Sequence, residues 1–406
     1  MLASARSLGR RGVPFVAVGV TPRMMVARSR YLRGSLAGRG PDPAAEPGRY
    51  AGFVLETARR HDVDLVVPLT DKTMLACDRL REDFEAAATP LALPSTHSVR
   101  NVLDKRANLA LATRLGIPCP DELELRGPAE IAELVQRLGF PVALKDPGPA
   151  ADDERPPLGF RFLVARDESE LLDCLSRCPP GAYPLVQEFV EGVVHNVCCF
   201  AVEGEIVAAH EFRGIRSLRG MTCLRELTPV TPELGDYAAR MLGELRWSGA
   251  AHLGFIVGAR DGVARYMETN GRFWGSICGS VNAGWDFPYW TYRYFALGEL
   301  PEPPPPSRWA GRRSTWHYGE LEALLRYLGG ERQQSWVGRS RARAVADYLG
   351  GFRPGIDADV YRRDDPLPEL AEHWREGRRH ATVLARAAAR RVLGRGPSGP
   401  AQRRWG

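Results

Sequence analysis

The sequence predicts two fold classes in succession, α/β and then α+β, on the strength of three observations. Helices alternate with short apolar strands over residues 1–95, strands follow one another through tight turns between 185 and 270, and prolines run from Pro301 to Pro306. Alternation of that kind builds a parallel sheet with helices on both faces. Tight turns between strands build an antiparallel sheet, and a proline run makes a stiff spacer. The chain divides accordingly into 1–97, 98–300 and 301–406.

Residues 2–11 read as a short helix stopped by Gly12, 13–20 as an apolar strand, 50–60 as a helix and 65–69 as a second buried strand. A doubly wound domain opens with a strand and a glycine turn before its first helix. This sequence opens inside the helix, so the N-terminal domain reads as truncated, lacking its first strand, with more coding sequence expected upstream. Asp104 and Lys105 then start a helix that runs to Leu115, with Gly116 behind it. A second helix starts at Pro128 and ends at Gly139. Strand 140–145, loop 146–159, strand 160–165 and helix 168–175 follow. Residues 185–192 form a strand leading into a turn, and strands 196–202 and 206–211 join at Glu203-Gly204. An amphipathic helix covers 232–245, and 251–258 with 263–270 make a hairpin around Arg260-Asp261-Gly262. Past the proline linker the chain is rich in tryptophan and arginine, and no chemistry is legible there.

Bulk properties exclude several classes. At 406 residues the chain holds two or three domains. No apolar run is long enough to span a bilayer, and the basic first twelve residues lack the apolar centre of a signal peptide. The cysteines at 77, 119, 174, 178, 198, 199, 223 and 278 include no CxxC pair, which argues against zinc or a disulfide framework and for a reducing cytoplasm. Much of the net charge of +6 sits late, where Arg375, Arg378, Arg379, Arg386, Arg390, Arg391, Arg395, Arg403 and Arg404 lie among alanines. Such a tail can hold nucleic acid or an anionic membrane surface. With no aromatic residues interleaved for base stacking, it reads as a solvated helix instead.

The chemistry concentrates in Tyr266-Met267-Glu268-Thr269-Asn270-Gly271-Arg272-Phe273-Trp274-Gly275-Ser276. In a strand, Glu268, Asn270 and Arg272 project to one side. A carboxylate beside a carboxamide suits a hard divalent cation bridging phosphates, and an arginine fork suits the anion next to it. The plain alternative is an edge strand with a solvated polar face. Lys145, ending an apolar strand, is placed to meet a phosphate while its stem packs on the core.

Four segments, collinear and spaced as they are, carry a resemblance: Asp104-Lys105; Phe140-Pro141-Val142-Ala143-Leu144-Lys145; Gln187-Glu188-Phe189-Val190-Glu191-Gly192; and the segment from Glu268 to Ser276. Together they resemble the ATP-grasp superfamily, most closely its carbamoyl-phosphate-synthetase-like carboxylate–amine ligases, over residues 1–300. The resemblance implies two lobes clamping ATP, with a mobile lid at about 115–184. It implies that Lys105 and Lys145 hold the phosphates, that Gln187, Glu188 and the backbone of Val190 line the adenine pocket, and that His195 lies near the ribose. Arg213, Arg216 and Arg225 would meet phosphates or an acid substrate, Glu268 and Asn270 would hold Mg2+, and Arg272 would face an acyl phosphate. Arg272 and Arg225 are the catalytic candidates. The substrates implied are a small carboxylic acid and an amine, with nucleic acid and a membrane span not expected and an oligomer compatible.

Three positions depart from the family pattern. Gly254, within Leu253-Gly254-Phe255, stands where a second metal-binding glutamate is expected; a three-residue turn at 260–262 puts it opposite Glu268, and His252 opposite Asn270. His252 is expected to be a satisfied structural histidine rather than a substitute ligand. Asp152, Asp153 and Glu154 fall in the loop over the phosphates, and Asp146 replaces a usual proline. The alternative function is therefore a non-catalytic ATP-binding or scaffold protein with a degenerate metal site.

Overall fold

The computed structural model describes residues 1–32, 36, 38, 40–125, 130–146, 158, 160, 162–179, 182–218, 220–330, 336 and 338–377. Asp152, Asp153 and Glu154 lie outside these residues.

Two sheets organise the chain. The smaller holds β1 (Glu122–Glu124), β2 (Val142–Lys145), β3 (Phe162–Ala165) and β4 (Leu185–Glu188), ordered β1-β4-β2-β3 and antiparallel throughout. Helices Ile131–Leu138 and Glu168–Ser176 accompany it, and Leu134, Val142, Leu144, Ala165, Leu171 and Val186 give it a core of its own. The larger sheet holds β5 (Gly192–Val202), β6 (Glu205–Leu218), β7 (Met221–Thr228), β8 (Gly249–Gly258), β9 (Ala264–Asn270), β10 (Arg313–Thr315) and β11 (Ile356–Ala358). Its order is β11-β10-β7-β6-β5-β8-β9.

The centre of the large sheet is buried on both faces. Val197, Cys199 and Ala201 of β5 join the core with helices Thr96–Leu103, Lys105–Arg114 and Pro232–Glu244, while Cys198 and Phe200 join Phe212, Trp274 and Phe287 on the other side. Alternate residues of one strand thus serve two cores, which is why β5 reads as a continuous apolar run.

Three expectations change. Among the described residues, 13–20 and 65–69 form no strand and make the isolated bridges Ala17↔Leu36 and Val66↔Leu91. Pro14 and Pro68 supply no N–H and Gly19 has φ +78, each of which weakens a ladder through its segment. Both bridges are parallel. β6 is longer than expected and continues to Leu218. The segment after the prolines also does more than extend: β10 pairs antiparallel with β7, and β11 pairs parallel with β10. The N-terminal helix Leu2–Arg10 is fastened to that same segment, Arg6 donating to Asp365 at 2.9 Å and to the Val360 carbonyl at 2.7 Å.

Candidate functional site

The β8–β9 hairpin has the register its three-residue turn predicts: His252 faces Asn270 and Gly254 faces Glu268. One step further, Phe255 faces Tyr266, so Met267 is an extra residue, a β-bulge. The bulge reverses the side-chain phase. Tyr266 points into the core, where its hydroxyl meets Asn108 and Thr269, while Glu268 points to the opposite face. There the Asn270 amide donates to the Glu268 carboxylate at 3.1 Å and lies 3.3 Å from His252 Nδ1. His252 stacks on Trp274 with centroids 5.3 Å apart. A Cβ built at Gly254 would meet Asn196 Oδ1 and Glu268 Cγ at 3.6 Å, ordinary contacts, so a side chain has room to begin there.

Two lysines converge on this carboxylate from separate segments. Lys105 opens helix Lys105–Arg114, whose N-terminus Asp104 caps by accepting from the amides of Arg106 and Ala107 at 2.9 and 3.1 Å. Its Nζ reaches across to the Asp146 carbonyl at 2.8 Å. Lys145 ends β2, and its pKa is lowered to about 8, by burial first; Glu268 opposes that shift and Lys105 adds to it. Burial also works against ionisation of Glu268, yet Lys105, the Asn270 hydrogen bond, Lys145 and His252 hold its pKa below the ordinary value. His252 is pushed down to about 4, chiefly by burial, so it is neutral at pH 7. Glu122 acts on Lys145 as well, in the same sense as Glu268.

The arginines are spent differently. Arg272 forms a two-pronged pair with Asp71 at 2.7 and 3.1 Å, from the start of helix Asp71–Arg79. Arg225 is buried on the Glu268 face, ion-paired to Asp359 and donating to the Thr222 carbonyl at 3.1 Å. Arg216 pairs with Glu320. Arg213 is half exposed, 3.4 Å from Glu226, and sits opposite His195.

His195 lies on the other face from Glu268, because its neighbour Asn196 is the residue that faces Gly254. Its Nδ1 is 2.6 Å from Glu211, whose pKa is held down by that bond and by Thr231 although burial pulls the other way. Gln187 is wholly buried in β4; its amide donates to Glu122 at 3.3 Å and its Oε1 has no partner. Glu188 pairs with Arg265 at 3.2 Å, and Val190 lies in the short link to β5, between Phe189 and Glu191. The structure thus brings Glu268, Asn270 and Arg225 to one face of the large sheet, with Lys105 and Lys145 acting on Glu268 from helix Lys105–Arg114 and from the small sheet; it puts Gln187, Glu188 and Val190 on the small lobe and its exit, and keeps His195 and Arg213 apart from Glu268.

Sequence reading missed Asn196, Asp71 and Asp359. Asn196 was within reach of the same period-two reasoning that singled out Glu268. The two aspartates carry no local signal, since each meets its arginine only through the fold. Among the described residues no cluster of three or more His, Cys, Asp or Glu forms a metal centre.

No protein-family model and no curated protein matches this chain. Solved structures do match. The biotin carboxylase domain of the Hydrogenobacter thermophilus 2-oxoglutarate carboxylase, solved with MgADP, ADP and bicarbonate, aligns with TM-score 0.58 and 17% identity over 77% of this chain and 71% of that one. A biotin carboxylase in complex with β-γ-ATP, from Campylobacter jejuni, gives the same values. The N5-carboxyaminoimidazole ribonucleotide synthetase of Thermus thermophilus aligns with TM-score 0.56 and 19% identity over 74% of this chain and 77% of its own. At such identities the likeness is one of fold, and the fold is ATP-grasp.

Proposed function

From the ATP-grasp fold and this cluster we propose an ATP-dependent ligase that joins a carboxylic acid to an amine through an acyl phosphate. The observation that carries the reading is the convergence of Lys105 and Lys145 on Glu268. Buried cations suit a polyphosphate, and held charges of this kind do most of the work in phosphoryl transfer.

Glu268 and Asn270 fit magnesium: both offer hard oxygen donors, Glu268 stays ionised, and this ion takes its remaining oxygens from phosphate and water. When bound, it would neutralise charge on the phosphoryl group. Gln187, Glu188 and the Val190 backbone would take the adenine edge, with the small lobe (about 115–184) closing as a lid. In the first step a carboxylate oxygen of the acid attacks the γ-phosphorus, and ADP leaves with the electron pair of the broken P–O bond. In the second, the amine nitrogen attacks the acyl carbon, phosphate leaves, and the nitrogen gives up a proton. Arg272 would hold the acid's carboxylate once it parts from Asp71. Arg225, fixed by Asp359, would act through its field. His195 and Arg213 are left out of the binding set because they stand on the other face. The eight cysteines are all free thiols, which agrees with a cytoplasmic home.

Incubation with ATP, magnesium, a panel of carboxylic acids and hydroxylamine tests this reading, because an acyl phosphate is trapped as a hydroxamate with release of ADP. Hydroxamate from at least one acid is expected. Tight nucleotide binding by calorimetry without hydroxamate from any acid would favour the second reading, a nucleotide-binding protein without turnover. Gly254 in place of a second carboxylate favours that alternative.

A further inference from the structure

Helix 367–377, the last described element, is amphipathic in the reverse sense. Leu367, Leu370 and Trp374 are 49%, 59% and 65% exposed, whereas Glu369, Glu372 and Glu376 are buried. At about 100° per residue the first three fall along one line of the helix and the three glutamates along the opposite line. The carboxylates are held from within. His317 Nδ1 lies 2.7 Å from Glu369, and the Trp316 indole donates to Glu372 at 3.1 Å. Exposed Phe352 stacks on the same His317, adding another outward aromatic beside the stripe. Single exposed leucines are ordinary, but an apolar line turned to water over acids turned inward is a surface shaped for something to cover it.

The chemistry of the cover is written in the residues that follow. Positions 378–406 contain eight arginines and no aspartate, glutamate or lysine, so this segment alone exceeds the net charge of +6 and leaves the rest of the chain net acidic. The spacing of the stripe also recurs in the sequence at Ala381, Ala385, Ala388 and Val392. An occupant must therefore be apolar in depth and anionic at its surface. Nucleic acid would satisfy the arginines and leave the leucines in water. A second copy would cover the leucines but bring two acid-free basic segments together. An anionic bilayer satisfies both, with Leu367, Leu370 and Trp374 at the headgroup boundary and the arginines on the phosphates. No helix among the described residues is long and apolar enough to cross a membrane, so the attachment would lie on the surface. We propose that the outward face of helix 367–377, with the arginines after it, docks this protein on an anionic lipid surface.

The full chain is tested by flotation with phosphatidylcholine vesicles and with vesicles that also contain phosphatidylglycerol. Binding should rise by about tenfold or more on the anionic vesicles and fall as salt is raised. Brominated lipid should quench tryptophan emission, and Trp374→Phe should remove most of that quenching. The combined Leu367→Ser, Leu370→Ser, Trp374→Ser variant, whose circular dichroism should be unchanged because these side chains point outward, should lose vesicle binding. So should a chain ending at Gly377. Equal binding to both vesicle types, or none, would overturn the proposal. It would equally be overturned by a duplex RNA that binds while anionic vesicles do not, or by a dimer in light scattering that the stripe variant dissociates without any vesicle binding.

Discussion

The lysines and the arginines of the candidate site are held in opposite ways. Lys105 and Lys145 feel Glu268, and Lys145 also Glu122, through longer-range attraction rather than through a closed ion pair. Arg272 and Arg225 each have an aspartate of their own, Asp71 and Asp359, and are neutral as pairs. A cation outside a closed ion pair is prepared for an incoming anion at little cost, while a site closed by ion pairs must first be opened. The difference suggests that the nucleotide end is ready in the resting protein, and that the acid end becomes ready only when a pair is exchanged.

The largest effect should come from the buried arginine pair. Asp359→Ala leaves Arg225 without compensation and should cost about 3–5 kcal/mol in urea denaturation, whereas Arg225→Met combined with Asp359→Leu should cost far less. A mild loss from Asp359→Ala would erase the contrast and return Arg225 to the substrate-binding set.

Lys145→Ala should weaken nucleotide binding by about tenfold or more in calorimetry, the worth of one charge-assisted contact. Unchanged affinity would mean that the charge of Lys145 is not used. The pH dependence sharpens this. Lys145 titrates at about 8 against an ordinary 10.5, while a bound phosphate keeps it protonated. Binding therefore takes up a proton above pH 8, so affinity should be flat below 8 and fall above it, by at most about tenfold per unit. In Lys145→Ala that slope should vanish. Stability runs the other way: between 8 and 10.5 the unfolded chain holds the proton that the folded chain has lost, so this group makes folding more favourable as pH rises.

Gly254→Glu adds a second carboxylate where a Cβ meets only ordinary contacts, and should tighten magnesium binding in the presence of nucleotide by several-fold, measured by titration. If it loosens magnesium instead, the ion is not held between β8 and β9. The smallest effect belongs to Asp71→Asn. This pair is partly exposed, so releasing Arg272 should lower the KM for the acid by about fivefold at most, with ADP release in its presence as the readout. A raised KM would show that Asp71 aims Arg272 rather than restrains it.

Which of these features the sequence made legible follows from how local their causes are. The pairing of Gly254 with Glu268 needed only a turn of known length, and the cap at Asp104 that sets Lys105 needed only its own first turn. The pair Arg225–Asp359 joins residues 134 apart, and nothing near either announces the other. Residues 13–20 misled because hydrophobicity suggests a strand, while Pro14 and Gly19 weaken a ladder and the described residues show a single bridge there. The helix at 367–377 has apolar spacing that any reading would turn inward, and the fold turns it outward.

The bulge at Met267 makes β9 a strand with two reading phases. Upstream of it the hairpin keeps time with the core through Tyr266; downstream it keeps time with the site through Glu268 and Asn270. One residue is the whole offset between them. Deleting Met267 would make Tyr266 and Glu268 neighbours, which a regular strand already turns to opposite faces, so Phe255 would still face Tyr266 and Gly254 would still face Glu268. Substitution and removal of Met267 should therefore both leave the pairing of Gly254 with Glu268 in place, which makes that pairing, rather than the bulged residue, the feature that the site depends on.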